Sequence, residues 1–281
     1  MELSVYSPVL AQSMYAEPKE AIKHARSLGI TAVEVFGNEL ERIALADYQK
    51  YYSEYQIKIN GIVQGAYLAD PDVGIRANEI DKLKRVVDLA SANGVKHIMV
   101  APNIRCRGAV SQVQTQEDKL FVRDAIVSGM KEIVTYAKGS GVTLTMENFS
   151  KNTHPFSTID EMAYMLGQVQ GLKYTLDAGN FYCVKEDVLS AYQKLKGNIY
   201  NMHIKDWILD EFGYLIRPEL PALNGCTMGE GILPLAELLS MMKQDGFEGE
   251  ILLEVNTVCI SEKDVEAAVK FVNKKWQTNR V

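Results

Sequence analysis

The chain has 281 residues, of which 47% are hydrophobic and 23% are charged, the composition of a globular protein with a large core. Lys and Arg total 30 and Asp and Glu total 36, so the formal net charge is −6, and this balance argues against a nucleic-acid partner, which would favour a basic face. Apolar runs stay well short of the roughly 18 to 20 residues of a membrane helix, so no membrane association is expected.

The cysteines and the start of the chain indicate a cytoplasmic protein. No two of the four cysteines form a Cys-x-x-Cys metal or redox motif; they are Cys106, Cys183, Cys226 and Cys259. Glu2 lies where a signal peptide would carry basic residues, and strand-like residues follow at once. We therefore expect four reduced thiols and no secretion signal.

Strand-like runs alternate with helical patterns along the first half of the chain. The predicted strands cover residues 3–6, 32–36, 57–63 and 97–101. A helix begins at Pro18 and ends before Gly29, a tyrosine-rich helix covers about 41–55, and a third covers about 80–92.

The second half repeats this alternation. Strands are predicted at residues 142–146, 172–176, 199–204 and 250–255. Helices are predicted at 122–137, after an N-cap at Thr158, and at 188–195, 234–244 and 262–276. A long loop, about 206–231, separates the seventh strand from the next helix, and loops of that length are usually functional.

Eight strands in alternation with about eight helices predict a parallel sheet. We interpret the chain as a single-domain α/β protein, a closed (β/α)8 TIM barrel over residues 1–281. An open doubly wound sheet is the alternative. It is less favoured because no early strand is followed by a Gly-x-Gly-x-x-Gly turn.

Four predicted strands end on a side chain that can bind a metal ion: Glu147, Asp177, His203 and Glu254. In a barrel the carboxyl ends of the strands meet at one mouth, where active sites lie. Three carboxylates and one imidazole suit one divalent ion such as Mn²⁺, Zn²⁺, Co²⁺, Fe²⁺ or Mg²⁺. Burying the four groups together would be costly without a cation.

The motifs around these residues resemble those of a known superfamily. They are Met146-Glu147-Asn148, Leu176-Asp177-Ala178-Gly179-Asn180-Phe181, His203-Ile204-Lys205-Asp206, Gly229-Glu230-Gly231, Gly246-Phe247-Glu248-Gly249 and Leu253-Glu254. They resemble the xylose-isomerase-like TIM barrel superfamily and, within it, the sugar phosphate isomerase/epimerase family. The resemblance implies that Glu147, Asp177, His203 and Glu254 bind the metal and that Glu147 and Glu254 also transfer protons.

The implied activity is a divalent-metal-dependent isomerisation or epimerisation of a small ketose or ketose phosphate through an enediolate, in which the ion acts as a Lewis acid. The same site could serve a dehydratase of a keto-cyclitol or polyol. A third reading is a barrel that binds metal and sugar without turnover, because Asn180 stands where several family members carry a histidine. Whether the chain forms a homo-oligomer is left open.

Further side chains are candidates for the sugar pocket. Lys205 lies two residues after His203 and should project to the same side of the strand. Arg217, with nearby glycine amides, could bind a phosphate in the long loop. The remaining substrate candidates are Asn180, His154 and Gln64, with Glu34, Asn103 and Arg105 as weaker ones at the ends of strands two to four. His24 is expected on the surface and His97 is expected to be structural.

Overall fold

A computed structural model of the chain describes residues 1–12, 18–104, 115–151, 153–213, 215–217, 220–255 and 261–277. Within these ranges eight parallel strands close into a barrel: β1 (Glu2–Tyr6), β2 (Ala32–Phe36), β3 (Lys58–Ala66), β4 (His97–Pro102), β5 (Thr143–Glu147), β6 (Lys173–Asp177), β7 (Ile199–Ile204) and β11 (Glu250–Leu253). Each strand pairs with its neighbours in chain order, and β11 closes the ring against β1. The predicted (β/α)8 barrel is confirmed.

Helices surround the barrel and connect its strands. The described ones are α1 (Ser7–Gln12), α2 (Pro18–Ser27), α3 (Leu45–Ser53), α4 (Val73–Ala92), α5 (Gln116–Ala137), α6 (Ile159–Gln168), α7 (Ala178–Cys183), α8 (Val188–Leu195), α9 (Leu235–Gln244) and α10 (Glu262–Gln277). Thr158 caps α6 as predicted, with its hydroxyl accepting from the backbone of Glu161. Among the described helices none is long and apolar enough to cross a membrane.

The two faces of the barrel strands differ in polarity. Val33 and Val35 of β2 are fully buried, and both belong to the apolar core of the molecule. Glu34 lies between them and is equally buried, so its side chain points to the opposite face of the strand. The barrel interior therefore carries charged and polar groups, and its geometry positions the site described below.

The long seventh loop contains structure that the sequence did not predict. β8 (Trp207–Leu209), β9 (Leu215–Arg217) and β10 (Leu220–Gly225) form a small antiparallel sheet in the order β8-β10-β9. The prediction of a plain loop is wrong here, because β8 and β9 have three residues each, too few to show a period-2 pattern, and β10 contains a proline. The helices α1 and α7, which directly follow β1 and β6, have six residues each and are too short to show a helical apolar stripe.

Two of the four cysteines can be compared with the expectation of reduced thiols. Cys183 and Cys226 are present as thiols in the structure. Cys106 and Cys259 lie outside the described residues.

Candidate metal centre

The four predicted metal ligands lie together at one mouth of the barrel. Glu147 and Asp177 are the last residues of β5 and β6, His203 lies near the end of β7, and Glu254 follows β11. The backbone amide of Glu254 donates to the carbonyl of Ile204 at 2.9 Å, which extends the barrel pairing to this residue. Each residue offers one donor atom, and the four atoms lie within 4.8 Å of one another. That spacing suits a single ion bound by all four side chains.

Asp177 is held by the backbone on one side only. It is the N-cap of α7, and its Oδ1 accepts from the amide of Asn180 at 2.8 Å. Its own amide donates to Asn148 Oδ1 at 3.0 Å. The second oxygen, Oδ2, makes no hydrogen bond of good geometry to the described residues and lies 2.7 Å from Nζ of Lys205.

Lys205 adds a cation to the quartet. Its Nζ lies 2.7 Å from Asp177 Oδ2 and 2.9 Å from Glu254 Oε1, and its side chain is 8% exposed. The stem of the lysine passes over Gly179, where a Cβ would lie only 2.5 Å from Lys205 Cγ. Three carboxylates and one ammonium give a formal charge of −3 + 1 = −2 when His203 is neutral. One divalent cation would neutralise this group, so the residues present fit such an ion.

Burial and charge act against each other at these carboxylates. Desolvation raises the pKa of Asp177 to about 6, even though Lys205 beside it lowers that pKa. Desolvation also raises the pKa of Glu254, again opposed by Lys205. Burial alone would lower the pKa of Lys205, but the carboxylates of Asp177 and Glu254 outweigh it and raise that pKa well above its usual range.

The imidazole of His203 faces the quartet with one nitrogen and the barrel interior with the other. Nδ1 lies 3.2 Å from Glu147 Oε1 and 3.0 Å from the hydroxyl of Tyr6, at the end of β1. Nε2 lies 3.5 Å from Glu34 Oε1. Burial lowers the pKa of His203, and the carboxylates of Glu34 and Glu147 raise it above its usual range. Sequence reasoning missed Tyr6 at this site, although an aromatic residue closing a barrel strand was a usable signal.

The four ligands differ in their access to solvent. The side chains of Asp177 and His203 are 0% exposed, whereas those of Glu147 and Glu254 are 22% and 23% exposed. The two glutamates can therefore reach a molecule in the mouth, and the aspartate and histidine are fixed beneath it. Among the four, Glu147 and Glu254 are the groups available to touch a substrate.

The other predicted substrate contacts lie in different surroundings. The side-chain amide of Asn180 donates to the carbonyl of Asn148 at 2.9 Å. His154 is near Thr153 Oγ1, at 3.1 Å, and its ring packs against Phe149. The amide of Gln64 donates to the carbonyl of Gly65 at 2.8 Å. The contacts described for these three side chains are internal ones, and none of these contacts is to the metal quartet.

The end of the long seventh loop is organised by Asp206. Its carboxylate accepts from the amides of Gly229 at 2.9 Å, Gly231 at 3.1 Å and Leu233 at 3.2 Å. A Cβ at position 231 would lie 2.1 Å from Asp206 Oδ1, so the loop passes this carboxylate only with glycine there. The glycine amides that were expected to bind a phosphate therefore already donate to Asp206. The side chains of Arg217 and Arg105 lie outside the described residues.

His97 is buried as a structural residue would be, whereas His24, expected on the surface, is half-buried. The ring of His24 on α2 is 23% exposed and lies 3.3 Å from Glu266 of α10. His97 is fully buried inside the barrel, with Nε2 3.0 Å from Glu34 Oε1. Glu34, which had seemed a weak candidate for the sugar pocket, thus lies between two histidines.

Comparison with known proteins gives the family. A sequence model of the xylose isomerase-like TIM barrel matches residues 22–275. The chain belongs to this family. An L-ribulose-5-phosphate 3-epimerase UlaE of Salmonella paratyphi A is 23% identical over 254 residues, which are 84% of this chain and 81% of that protein.

Solved structures of the same barrel agree in fold. D-psicose 3-epimerase of Clostridium cellulolyticum H10, solved with D-tagatose, is 16% identical with a TM-score of 0.75 and covers 98% of this chain and 99% of its own. The IOLI protein with a binding zinc atom is 18% identical with a TM-score of 0.76 and covers 99% of this chain and 100% of its own. The predicted family is confirmed by the sequence model, and these structures share the barrel fold over nearly the whole chain.

Proposed function

We propose that this chain is a divalent-metal-dependent isomerase or epimerase that acts on a small ketose or ketose phosphate. The family match and the epimerase relatives support a sugar isomerase or epimerase. Metal dependence is supported by the four converging donor atoms and by the zinc atom of the IOLI protein. UlaE is named for a ketose phosphate and D-psicose 3-epimerase for a free ketose, so the proposal covers both substrate classes.

One observation carries the assignment of roles, namely the difference in exposure among the four ligands. Asp177 and His203 are enclosed and held by their neighbours, so they serve to bind the ion. Glu147 and Glu254 bind it too, and they alone of the four also reach the mouth. We assign proton transfer to these two glutamates for that reason.

The reaction follows from these positions. When bound, the divalent ion acts as a Lewis acid toward a sugar carbonyl and its neighbouring hydroxyl. One glutamate removes the proton from the carbon next to the carbonyl, and the electron pair forms the enediolate. The other glutamate returns a proton to the opposite face and inverts that carbon. If the proton is taken from the terminal carbon and the same glutamate returns it to the former carbonyl carbon, with a proton passing between the two enediolate oxygens, the product is the aldose instead.

Lys205 supports the pair by balancing charge. Its ammonium lies 2.9 Å from Glu254 and 2.7 Å from Asp177, and it brings the formal charge of the site to the value that one divalent ion neutralises. Burial raises the pKa of Glu254, which brings it closer to the range in which a carboxyl group can exchange a proton at neutral pH.

Solvent-proton exchange tests the proposal. The protein is loaded with Mn²⁺ and incubated in D₂O with a panel of free and phosphorylated ketoses, and deuterium is located by NMR. Glu147→Gln and Glu254→Gln should each abolish deuterium uptake, because an amide cannot carry the proton. Glu132→Gln is the matched control, because Glu132 lies on the outer helix α5 and pairs with Lys84 of α4. This variant should take up deuterium at the wild-type rate.

The outcome also separates the alternatives. Deuterium at an inverted carbon indicates an epimerase, and deuterium in an aldose product indicates an isomerase. Exchange that continues unchanged in both glutamine variants would remove the glutamates from the mechanism. Among the described residues no contact favours dehydration, and an ultraviolet-absorbing enone would reveal it.

A further inference from the structure

A layer of buried polar side chains lies beneath the metal quartet. Each barrel strand contributes one member: Ser4, Glu34, Asn60, His97, Thr145, Thr175, Asn201 and Glu250, none of them more than 7% exposed. Thr145, Thr175 and Asn201 precede Glu147, Asp177 and His203 by two residues, so they lie one step deeper on the same face of their strands. Barrel interiors are usually filled by branched apolar side chains, so a polar layer in this position is unusual.

Glu34 is the centre of one half of the layer. Its Oε1 accepts from the amide of Asn201 at 2.9 Å and lies 3.0 Å from His97 Nε2 and 3.5 Å from His203 Nε2. Glu34 and both histidines are fully buried. Burial alone would raise the pKa of Glu34, but the two imidazoles outweigh it and keep that pKa below its usual range. Glu34 therefore presents one carboxylate oxygen to three nitrogen atoms beneath the quartet.

The two nitrogens of His203 thus have distinct neighbours. Nδ1 faces the quartet through Glu147 at 3.2 Å, and Nε2, which makes no hydrogen bond of good geometry to the described residues, has Glu34 Oε1 at 3.5 Å. A carboxylate on one ring nitrogen keeps the proton there and leaves the lone pair of the other nitrogen for a metal ion. We propose that Glu34 is a positioning residue, which holds His203 with its proton on Nε2 and its Nδ1 aimed at the ion. This inference rests on the metal site of the proposed function.

Glu34 is itself firmly held. A Cβ at position 61 would lie 2.3 Å from Cε1 of His97, so Gly61 leaves the space in which this imidazole reaches Glu34. The amide oxygen of Asn201 accepts from the hydroxyl of Thr175 at 2.6 Å, which fixes its NH₂ group toward Glu34. A carboxylate with such supports can orient a ligand without moving when an ion binds.

Glu250 offers a matched control in the same layer. It is 4% exposed, and its carboxylate accepts from the side-chain amide of Asn60. Burial raises its pKa, with the Glu34 charge adding to the effect. Glu250 and Glu34 therefore share residue type, layer and burial, but only Glu34 lies against the Nε2 of His203 in the described structure.

Calorimetric titration of the metal-free protein with Mn²⁺ tests the proposal. Loss of such an orienting partner lowers metal affinity by roughly 10- to 100-fold, and we expect this loss in Glu34→Gln. Glu250→Gln should bind Mn²⁺ as the wild type does. An unchanged affinity in Glu34→Gln overturns the inference, and so does an equal loss in both variants, because the layer would then act only through packing.

A second readout does not need a metal. Long-range ¹H–¹⁵N spectra at alkaline pH report which nitrogen of a neutral imidazole carries the proton, and the chain has only 4 histidines to resolve. In the metal-free protein both ring nitrogens of His203 face a carboxylate, so the fraction of His203 protonated on Nε2 should be lower in Glu34→Gln than in the wild type and in Glu250→Gln. Identical spectra in all three proteins would contradict the role of Glu34. A wild type that binds no Mn²⁺ but shows this tautomer pattern would reject the proposed function and keep the orienting contact.

Discussion

Replacing Lys205 with methionine tests the electrostatics of the site most severely. Methionine is unbranched and retains much of the stem that packs over Gly179, but it removes the ammonium that lies 2.7 Å from Asp177 and 2.9 Å from Glu254. Removing one partner of a buried ion pair destabilises a protein by about 3–5 kcal/mol, because the remaining charge is left uncompensated. With an unfolding slope of about 3 kcal/mol per molar urea, the midpoint of the metal-free protein should fall by about 1–2 M.

Mn²⁺ and pH should both reduce this penalty. The formal charge of the ligand group becomes −3 without the lysine, so saturating Mn²⁺ should raise the urea midpoint of Lys205→Met more than that of the wild type. Lys205 lowers the pKa of Asp177, which is about 6 in its presence, so the pKa rises further in the variant. A buried carboxyl with a raised folded pKa destabilises the fold most at pH above that pKa. The extra penalty of the variant should therefore shrink as the pH falls from neutral toward about 6, the pKa of Asp177 in the wild type.

The matched control is Lys194→Met. Lys194 pairs with Asp160 on the surface, where the side chains are 52% and 86% exposed, and such pairs contribute little. Its urea midpoint should match that of the wild type. If Lys205→Met shifts the midpoint no more than Lys194→Met, or if Mn²⁺ stabilises the variant and the wild type equally, then Lys205 does not neutralise these carboxylates.

Three further variants test other parts of the structure. Gly61→Ala places a Cβ 2.3 Å from Cε1 of His97 and should lower the free energy of unfolding by about 1–3 kcal/mol; an unchanged urea midpoint would contradict the described packing. Burial lowers the pKa of His154 to about 4. The wild type should therefore lose about 1 kcal/mol of stability, after solvent screening, as the pH falls from about 6.5 to about 4. The variant His154→Gln should not lose stability over this pH range. Asp206→Ala removes the acceptor of the amides of Gly229 and Gly231, and hydrogen exchange of these amides should rise, whereas protection equal to the wild type would refute the anchoring role.

The barrel was predictable because its signals are regular. Each buried strand is a short β-branched or apolar run, each helix has an apolar stripe, and the two alternate eight times. The quartet followed from the same regularity, since Glu147, Asp177, His203 and Glu254 all stand where an apolar run ends. Strand ends of a parallel barrel meet at one mouth, so their positions along the chain predicted their proximity.

Contacts across the barrel interior were harder to predict. Glu34 is separated from His203 by most of the chain, and its place against Nε2 depends on barrel closure and on the gap that Gly61 provides. A signal was present, because an acid between two valines in a strand buried on both faces must find a partner. The sheet inside the seventh loop gave no comparable signal, since β8 and β9 have three residues each.

The phosphate-binding interpretation of the seventh loop shows another limit. Gly229 and Gly231 were read as anion-binding amides because glycines near an arginine suit that role in barrel loops. In the structure these amides donate to the carboxylate of Asp206 instead. Glycines in a loop indicate amides that an anion can approach, but the sequence does not show that a side chain of the same protein, here Asp206, is that anion.

Metal binding by the purified protein tests the central claim most directly. Equilibrium dialysis of the metal-free wild type against Mn²⁺, followed by elemental analysis, should give one ion per chain. The double variant Asp177→Ala/His203→Ala, which removes the two enclosed ligands, should retain none. A wild type without a bound ion, or a double variant that still binds one, would contradict the assignment of the four strand-end residues as a metal site.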